Sequence, residues 1–216
     1  MKVLVACEES QAVTIELRKL GHEAYSCDIE PCSGGHPEWH IQDDVLPLLN
    51  GGTFVTADNA PSRTVLKWDM IIAFPPCTYL SNAGAKHLWR GHELNKERYQ
   101  KGLEAKSFFM SIYNADCPQI AIENPISSAI FNMPPFTQYI QPFMFGVPTS
   151  KKTRLWLKRL PELKPTNVVE PICNCHEAYT WFMKGGADRQ KNRAKTFPQV
   201  AKAMAEQWAG QAEVDT

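Results

Sequence analysis

The sequence lacks any hydrophobic run that approaches the roughly 18–20 residues needed to cross a bilayer. Its first residues pass directly into an apolar, strand-like segment and carry no pattern of a secretory signal peptide. The seven cysteines are an odd number and lack the regular spacing of a disulfide framework. We therefore expect a cytoplasmic protein with no membrane partner and no obligate protein partner.

The sequence also lacks a net charge, which argues against a protein that is basic throughout. The charges are nevertheless unevenly distributed. Residues 1–60 hold 3 basic and 10 acidic side chains, whereas residues 151–195 hold 11 basic and 4 acidic ones. One interpretation is that the first segment binds a cationic ligand and the second a polyanion. The alternative is that both segments are ordinary solvated surface.

No internal repeat, low-complexity tract or linker divides the sequence, so we predict a single domain over residues 1–216. Short β-rich apolar runs predict strands, and apolar residues at helical spacing predict helices. Strands are predicted at residues 2–7, 23–28, 43–45, 68–74, 119–125 and 153–160, and helices at residues 11–20, 93–115 and 198–208. The opening strand, helix and strand form a βαβ unit, which predicts an α/β fold with a Rossmann-like, doubly wound, mostly parallel sheet.

Four predicted strands end in chemically functional residues. These ends are Cys7-Glu8-Glu9, Asp28, Pro75-Pro76-Cys77 and Glu123-Asn124-Pro125. The carboxyl ends of parallel strands meet at one edge of a sheet, and ligands bind in the crevice outside that edge. We therefore predict that the four segments converge on one ligand-binding crevice.

The glycine-rich turn of dinucleotide-binding folds is absent after the first strand, where the sequence reads CEESQ. Without glycines the backbone cannot approach a pyrophosphate closely, so NAD and FAD are disfavoured. Asp28 follows about twenty residues later, at the usual position of an acid that binds ribose hydroxyls. Glu8 and Glu9 suit a cofactor with positive charge. S-adenosylmethionine, which carries a sulfonium and an ammonium group, has the required properties.

Cys77 follows two prolines, whose fixed φ stiffens the loop at the strand end. Taken alone, this pattern is more often a structural thiol than a nucleophile. Glu123 changes that balance, because a carboxylic acid in a crevice can stay protonated near neutral pH. A thiolate that adds to C6 of cytosine, with an acid at N3, makes C5 nucleophilic toward an electrophilic methyl group. The pair therefore predicts methylation of a pyrimidine.

These residues resemble the C5-cytosine-specific DNA methyltransferase family, and most nearly its short, phage-like members with a reduced target-recognition region. The matching segments cover most of the chain. They are VLVACEESQAVTIELRKLGHEAYSCD (3–28), HIQDDV (40–45), WDMIIAFPPCTYLSNAG (68–84), IAIENP (120–125), SKKTRLWL (150–157) and KTFPQVAKAMAEQW (195–208). The family's Pro-Cys signature is matched by Pro76-Cys77. The resemblance implies a fold of the class I S-adenosylmethionine-dependent methyltransferase type.

The resemblance also implies a role for each matching residue. Cys77 would attack C6, Glu123 would hold N3 and the exocyclic amine, and Arg154 would orient Glu123 and the base O2. Asp28 would bind the ribose hydroxyls of S-adenosylmethionine, and Asp43 or Asp44 would bind its adenine amine. Further predicted cofactor contacts are Ala6, Cys7, Glu8, Glu9, Ser10, Ile29 and Pro75. Predicted contacts to DNA are Ser81, Asn82, Lys152, Arg189, Lys191, Arg193 and Lys195.

Full-length members of the family place a sizeable target-recognition domain between the arginine-bearing strand and the closing helix. Here only residues 160–194 fill that space. The insert contains aromatic residues and ends in a basic run that continues to Lys195, a combination that fits contact with a nucleic-acid backbone and stacking on an unpaired base. The spacing of Cys173, Cys175 and His176 is not that of a standard zinc knuckle. We predict no metal site, with a structural zinc as the alternative.

The resemblance predicts an S-adenosylmethionine-dependent DNA (cytosine-5-)-methyltransferase of a bacterial or phage-infected host cell. Such an enzyme would act in DNA modification or restriction-modification, on double- or single-stranded DNA. Two alternatives stay open. The same chemistry could act on a free pyrimidine nucleotide or on single-stranded DNA, or the chain could be a non-catalytic DNA- or cofactor-binding decoy derived from such an enzyme.

Overall fold

The structure, a computed structural model, describes residues 1–172 and 195–212 of the 216-residue chain. Its centre is a seven-stranded sheet with the order β10-β11-β9-β6-β1-β2-β3. The strands are β1 (Lys2–Ala6), β2 (Glu23–Asp28), β3 (His40–Gln42), β6 (Met70–Ala73), β9 (Gln119–Pro125), β10 (Gln138–Ile140) and β11 (Thr153–Lys158). All run parallel except β11, which is antiparallel to both of its neighbours.

Two small hairpins lie outside this sheet. The first pairs β4 (Gly52–Phe54) with β5 (Arg63–Val65), and the second pairs β7 (Trp89–Arg90) with β8 (Glu93–Leu94). The described residues form three α-helices, namely α1 (Ala12–Lys19), α2 (Lys96–Tyr113) and α3 (Pro198–Trp208). None of the helices in the described ranges is both long and apolar enough to span a bilayer.

Each face of the sheet is covered by its own helices, because alternate residues of a buried strand point to opposite faces. One face carries Leu4, Ile71 and Ile122 and packs against Phe109 and Ile112 of α2. The other face belongs to a second apolar cluster, which includes residues of both α1 and α3. Its members include Val3, Val5, Ile72, Ala121, Leu155, Val13, Leu17, Val200 and Met204.

The predicted α/β fold class with a doubly wound, mostly parallel sheet is confirmed by this topology. The third strand of the sheet differs from its predicted position: it occupies His40–Gln42, just before the predicted segment 43–45. Asp43 and Asp44 instead lie in a turn, where Asp43 accepts a hydrogen bond from the Asp44 backbone and Asp44 from Leu46. These local bonds compete with a strand ladder and end β3 early.

The first part of the predicted insert packs onto the sheet edge. Leu163 is buried, and its backbone N–H and C=O bond to the side-chain amide of Gln138 on β10 at 2.5 and 3.2 Å. Lys164 makes the same reciprocal pair of bonds with Gln207 on α3, both at 2.8 Å. Leu163 therefore joins the core of the domain, and the chain around it is bonded to β10 and α3. Residues 173–194 of the insert lie outside the described residues.

Gly102 lies inside α2, where glycine normally weakens a helix. A Cβ atom at this position would collide with the ring of Phe131, which is 1% exposed. Phe131 ends a short 3₁₀ helix (Ala129–Phe131) in the loop after β9, and it stacks on Tyr99 of α2. The glycine thus lets α2 approach the loop that follows the Glu123 strand.

We expect Gly102→Ala to destabilise the protein by about 1–3 kcal/mol, because overpacking against Phe131 outweighs a helix-propensity gain of about 1 kcal/mol. Urea denaturation measures the difference. In a Phe131→Leu background, which removes the aromatic ring, the same Gly102→Ala change should be neutral or stabilising. An increase in stability from Gly102→Ala alone would contradict the described packing.

Candidate active site

The β6 strand ends at a diproline segment that is held by the neighbouring strand. Pro75 and Pro76 have no backbone N–H, so they cannot extend a hydrogen-bonded ladder from β6. Instead, the side-chain amide of Asn124 on β9 donates to the Pro75 carbonyl at 2.9 Å. Both Pro75 and Asn124 are buried. This bond fixes the start of the loop that carries Cys77.

The Cys77 loop also pairs with the loop after β9. Asn82 donates its backbone N–H to Ile126 at 2.7 Å, and Ser128 donates to Leu80 at 2.8 Å. The Cys77 carbonyl accepts from the backbone N–H groups of Leu80 and Ser81, which closes the loop into a tight turn. Cys77 itself is half-buried. The thiol is therefore held on a doubly braced loop at the carboxyl edge of the sheet.

Glu123 occupies the next strand and faces a narrow cavity of about 30 Å³, room for one or two water molecules. The cavity is bounded by β9, the ends of β10 and β11, and the start of α3. Burial raises the pKa of the Glu123 carboxyl, while the charge of Lys151 and a hydrogen bond from Thr153 oppose that rise. Burial is the largest of the three effects, so the net result is a raised pKa.

Arg154 lies on the opposite face of the sheet from Glu123. In the β9–β11 register Arg154 is paired with Asn124, and Glu123 is paired with Leu155. Side chains of paired residues share a face, so Arg154 is directed to the α2 side. Its guanidinium lies over the ring of Phe136 at 4.7 Å and that of Tyr139 at 5.7 Å. The resemblance implies that Arg154 contacts Glu123, but the structure places the two side chains on opposite faces of the sheet.

Lys151 and Thr153 lie beside Glu123 in place of Arg154, and neither is among the site residues predicted from the sequence. The signal that could have found them is the alternation of β11. Because Thr153 and Leu155 are buried on one face, Arg154 between them must point to the other face. The family motif favours Arg154 as the partner of Glu123, but the alternation of side chains along β11 excludes Arg154 from the face that carries Glu123.

The turn between β1 and α1 adopts left-handed backbone conformations at residues that are not glycine. Cys7 and Gln11 both have φ of 58°. The buried Gln11 amide donates to Ser26 Oγ at 3.2 Å and to the His36 carbonyl at 2.8 Å, and it accepts from the His36 N–H at 3.1 Å. The turn therefore takes the shape that usually requires glycine, and the Gln11 side chain links it to β2 and to the loop around His36.

Glu8 is only 3% exposed and is engaged by helix α1. Its carboxylate accepts hydrogen bonds from the Val13 N–H at 2.6 Å, the Thr14 N–H at 3.2 Å and the Thr14 hydroxyl at 2.8 Å. Both carboxylate oxygens are thus used to satisfy the first turn of the helix. Glu8 is predicted as a cofactor contact, but all three of these hydrogen bonds come from Val13 and Thr14 of α1.

Glu9 lies next to the segment that leads into α3. Its Oε1 atom is 3.7 Å from the Lys195 ammonium, which also donates to Ser33 at 2.9 Å. The other carboxylate oxygen, Oε2, is buried and has no hydrogen-bond partner among the described residues. Lys195, predicted to contact DNA, is therefore placed at the β1 edge beside an acidic group. Phe197, two residues on, lines the Glu123 cavity.

Asp28 ends β2 and is half-buried, and burial raises the pKa of its carboxyl further than its bond from the Glu30 N–H lowers it. The negative charge of Glu9 contributes to that rise. The next residue, Ile29, is 74% exposed at the same edge. The edge of β1 and β2 thus offers two carboxylates and an uncovered apolar side chain.

The remaining predicted site residues are distributed along the same edge and beyond it. Ala6 is the last, buried residue of β1, Ser10 is half-buried, and Asp43 and Asp44 are exposed. Ser81 accepts from the Gly84 N–H and caps the 3₁₀ helix Asn82–His87. Lys152 lies 3.9 Å above the Tyr139 ring, on the Arg154 side. Arg189, Lys191 and Arg193 fall outside the described residues.

Across residues 1–172 and 195–212, no three His, Cys, Asp or Glu side chains form a cluster that could hold a metal ion. Cys173, Cys175 and His176 are among the residues that the structure leaves undescribed.

The cysteines near the ends of β1 and β2 are poor nucleophiles. Burial raises the pKa of the Cys27 thiol to about 12, and burial also raises the pKa of the Cys7 thiol.

No protein-family model and no curated protein matches the chain. Among solved structures, it is similar to a crystal structure described as a "putative DNA modification methyltransferase encoded within prophage" from E. coli. The two chains are 16% identical with a TM-score of 0.43, over 79% of this chain and 52% of that one. This chain thus spans about half the length of that protein. The strand order, with one antiparallel strand, is that of a doubly wound, Rossmann-like α/β fold.

Glu8 should make stability depend on pH. Burial raises the pKa of its carboxyl from 4.5 to about 7 in the folded protein, so between these values the folded state holds a proton that the unfolded state has lost. The contribution of Glu8 to stability is therefore greatest below about pH 4.5 and decreases as pH rises to about 7. Relative to Glu8→Gln, wild type should lose about 3 kcal/mol of unfolding free energy across this window.

Denaturant unfolding at a series of pH values measures this difference. Glu206→Gln, at a partly exposed position on α3, is the matched control and should follow wild type. Parallel curves for wild type and Glu8→Gln would show that the helix bonds keep the Glu8 carboxyl ionised.

Proposed function

We propose that the protein is an S-adenosylmethionine-dependent DNA (cytosine-5-)-methyltransferase with Cys77 as its nucleophile. The observation that carries this proposal is that Cys77, on the braced loop after β6, and Glu123, on the adjacent strand β9, lie at one sheet edge, where burial raises the pKa of the Glu123 carboxyl. A thiol and a carboxylic acid with a raised pKa at this edge are the two groups that addition to a pyrimidine ring requires.

The polar and apolar groups at the β1–β2 edge fit the proposed cofactor. The buried Glu9 Oε2 atom is an acceptor that suits the ammonium group of a methionine moiety. Asp28 at the end of β2 suits ribose hydroxyls, and the exposed Ile29 suits the face of an adenine ring. When bound, S-adenosylmethionine supplies an electrophilic methyl group. A side chain on Cys7 and Gln11 keeps the turn from approaching a pyrophosphate, so the residues present fit S-adenosylmethionine better than a dinucleotide.

In the proposed reaction the Cys77 thiolate forms a bond to C6 of cytosine, and the Glu123 carboxyl gives its proton to N3. C5 of the resulting enamine would be the nucleophile toward the methyl group that bound S-adenosylmethionine would supply, with the thioether of the methyl donor as the leaving group. A base then removes the proton from C5, the Cys77–C6 bond breaks, and N3 returns its proton to Glu123. Glu123 thus acts as an acid in the first half and as a base at N3 in the second.

Lys151 and Thr153 are proposed to position Glu123. Thr153 is buried and donates a hydrogen bond to the carboxyl, and the ammonium of Lys151 stabilises the carboxylate that forms when the proton is transferred. Without such a charge, burial alone would make the ionised form too costly. The pair supports the acid in the role that the resemblance gives to Arg154.

A covalent trap tests the proposed chemistry. With S-adenosylmethionine present, 5-fluorocytosine in DNA should form a stable adduct with Cys77, because fluorine at C5 cannot be removed as a proton. Denaturing electrophoresis and mass spectrometry of the tryptic peptide measure the adduct. Duplex DNA, a single strand and the free 5-fluorocytosine nucleotide, tested side by side, distinguish the alternative substrates.

Cys77→Ala should abolish the adduct with every substrate, whereas Cys32→Ala, at another half-buried cysteine, should leave it intact. If wild type forms no adduct with any of the three substrates, the chemistry is wrong. If in addition Cys77→Ser binds DNA as tightly as wild type, the decoy alternative is correct.

The rate of adduct formation should fall as pH rises through the raised pKa of Glu123, because only the protonated carboxyl can supply the proton to N3. Glu123→Gln should lower the rate by roughly 10²–10⁴-fold and remove this alkaline decrease. Lys151→Gln removes a charge that lowers the pKa of Glu123, so its alkaline decrease should move to higher pH. Stopped-flow pH profiles measure both. An alkaline limb that does not move in Lys151→Gln would contradict the proposed pairing.

A further inference from the structure

A second open groove, of about 460 Å³, lies beside the Cys77 loop and is separate from the Glu123 cavity. It is formed by the segment after Cys77, the β7–β8 hairpin and the first turns of α2. Arg98 of α2 joins its two sides, because its guanidinium donates to the carbonyl of Thr78 at 3.1 Å. Thr78 directly follows Cys77, so the groove borders the loop that carries the proposed nucleophile.

The groove presents an excess of positive charge. Lys86, Arg98 and Lys101 line it together with His87, and Glu97 is the one acidic side chain among the described residues of its lining. Lys101 is paired with Glu97 at 2.8 Å, but this is an exposed pair at i,i+4 spacing, which is weak and readily exchanged for another anion. The Arg98 Nε atom is buried and has no hydrogen-bond partner among the described residues.

Aromatic rings are interleaved with these charges. Arg98 and Lys101 lie over the ring of Tyr79 at 5.1 and 5.8 Å. Trp89, on the β7–β8 hairpin, is 50% exposed in the same groove. Cationic side chains that follow a backbone, with aromatic faces available for stacking, are the combination that binds single-stranded nucleic acid without sequence preference.

The groove is a built feature, held by specific contacts. A Cβ atom at Gly84 would lie 2.8 Å from both Arg98 Nη2 and the Thr78 carbonyl, so glycine is needed for Arg98 to reach the loop. Asn95 caps α2 by accepting from the Arg98 N–H at 3.2 Å and bonds through its own N–H to Leu88 at 2.8 Å. These contacts fix the helix end, the hairpin and the Cys77 loop relative to one another.

We propose that this groove binds an unpaired stretch of the DNA strand that carries the target base, with Arg98, Lys86 and Lys101 on its phosphates and Trp89 against a base. The inference rests on the proposed function for the choice of DNA. It assigns strand binding to the residues after Cys77, whereas the sequence placed that role mainly in the insert. Ser81 and Asn82 lie at the start of the same segment.

Binding should be measured by fluorescence anisotropy with a labelled single-stranded deoxyoligonucleotide over a series of salt concentrations, using Cys77→Ser protein so that no covalent step contributes. Arg98→Gln with Lys101→Gln should weaken binding about tenfold or more. The slope of log affinity against log salt should fall by about 1.4, since each phosphate contact on a single strand contributes about 0.7. Trp89→Ala should weaken binding by about tenfold without changing the slope.

The matched control is Lys19→Gln with Lys202→Gln, which removes the same charge from exposed positions on α1 and α3. Equal affinity and slope for the groove variant and this control would overturn the proposal, as would wild-type affinity in Trp89→Ala. If the groove variant does not fold by circular dichroism, the Trp89→Ala result decides. If wild type forms the covalent adduct but the groove variant binds the oligonucleotide as tightly as the control, the groove proposal alone is wrong. If the groove variant loses binding but wild type forms no adduct, the proposed chemistry alone is wrong.

Discussion

The hydrogen bond from Asn124 to the Pro75 carbonyl is the contact on which the arrangement of the site depends. Two prolines end the β6 ladder because they have no N–H to donate, and a strand end without donors would otherwise diverge from its neighbour. The Asn124 amide replaces the missing ladder bond at 2.9 Å. Since Asn124 follows Glu123 on β9, the same strand carries the acid and holds the start of the thiol-bearing loop. The backbone bonds of residues 126–128 to residues 80–82 then extend this junction.

The two faces of the sheet at this junction carry different chemistry, and strand alternation separates them. On the α3 side, Glu123, Thr153 and Lys151 surround a small cavity. On the α2 side, Asn124 Oδ1 and Arg154 Nε are buried without partners among the described residues, and Arg154 lies on aromatic rings. The segment before α3 connects the Glu123 cavity to the β1 edge, because Lys195 contacts Glu9 and Phe197 lines the cavity. One short stretch of chain therefore contacts both ends of the crevice.

The sequence allowed the prediction of the parallel core strands and the three helices, because buried strands and amphipathic helices are encoded by local apolar patterns. It also predicted that Cys77 and Glu123 lie at strand ends. It did not predict the partners of those ends. A base-pocket role was predicted for Arg154 from a motif, but the face on which its side chain lies depends on the register of β11 with β9. A DNA contact was predicted for Lys195 from its charge, but its pairing with Glu9 is a contact between distant segments. Glu8 shows the same limit: its carboxylate is used by the helix five residues later, which composition cannot reveal.

In the turn between β1 and α1, Gln11 adopts an unfavourable left-handed backbone conformation, and its side chain bridges Ser26 and His36. Glycine at position 11 would relieve the left-handed backbone but would remove the bonds to Ser26 and His36, so neither requirement can be improved without loss of the other. Gly34 packs so closely that a Cβ there would lie 2.6 Å from the Gln11 Cβ. The two positions are therefore mutationally coupled across the sequence. Homologues that change one are expected to change the other, and the turn and the loop that covers it evolve as a unit.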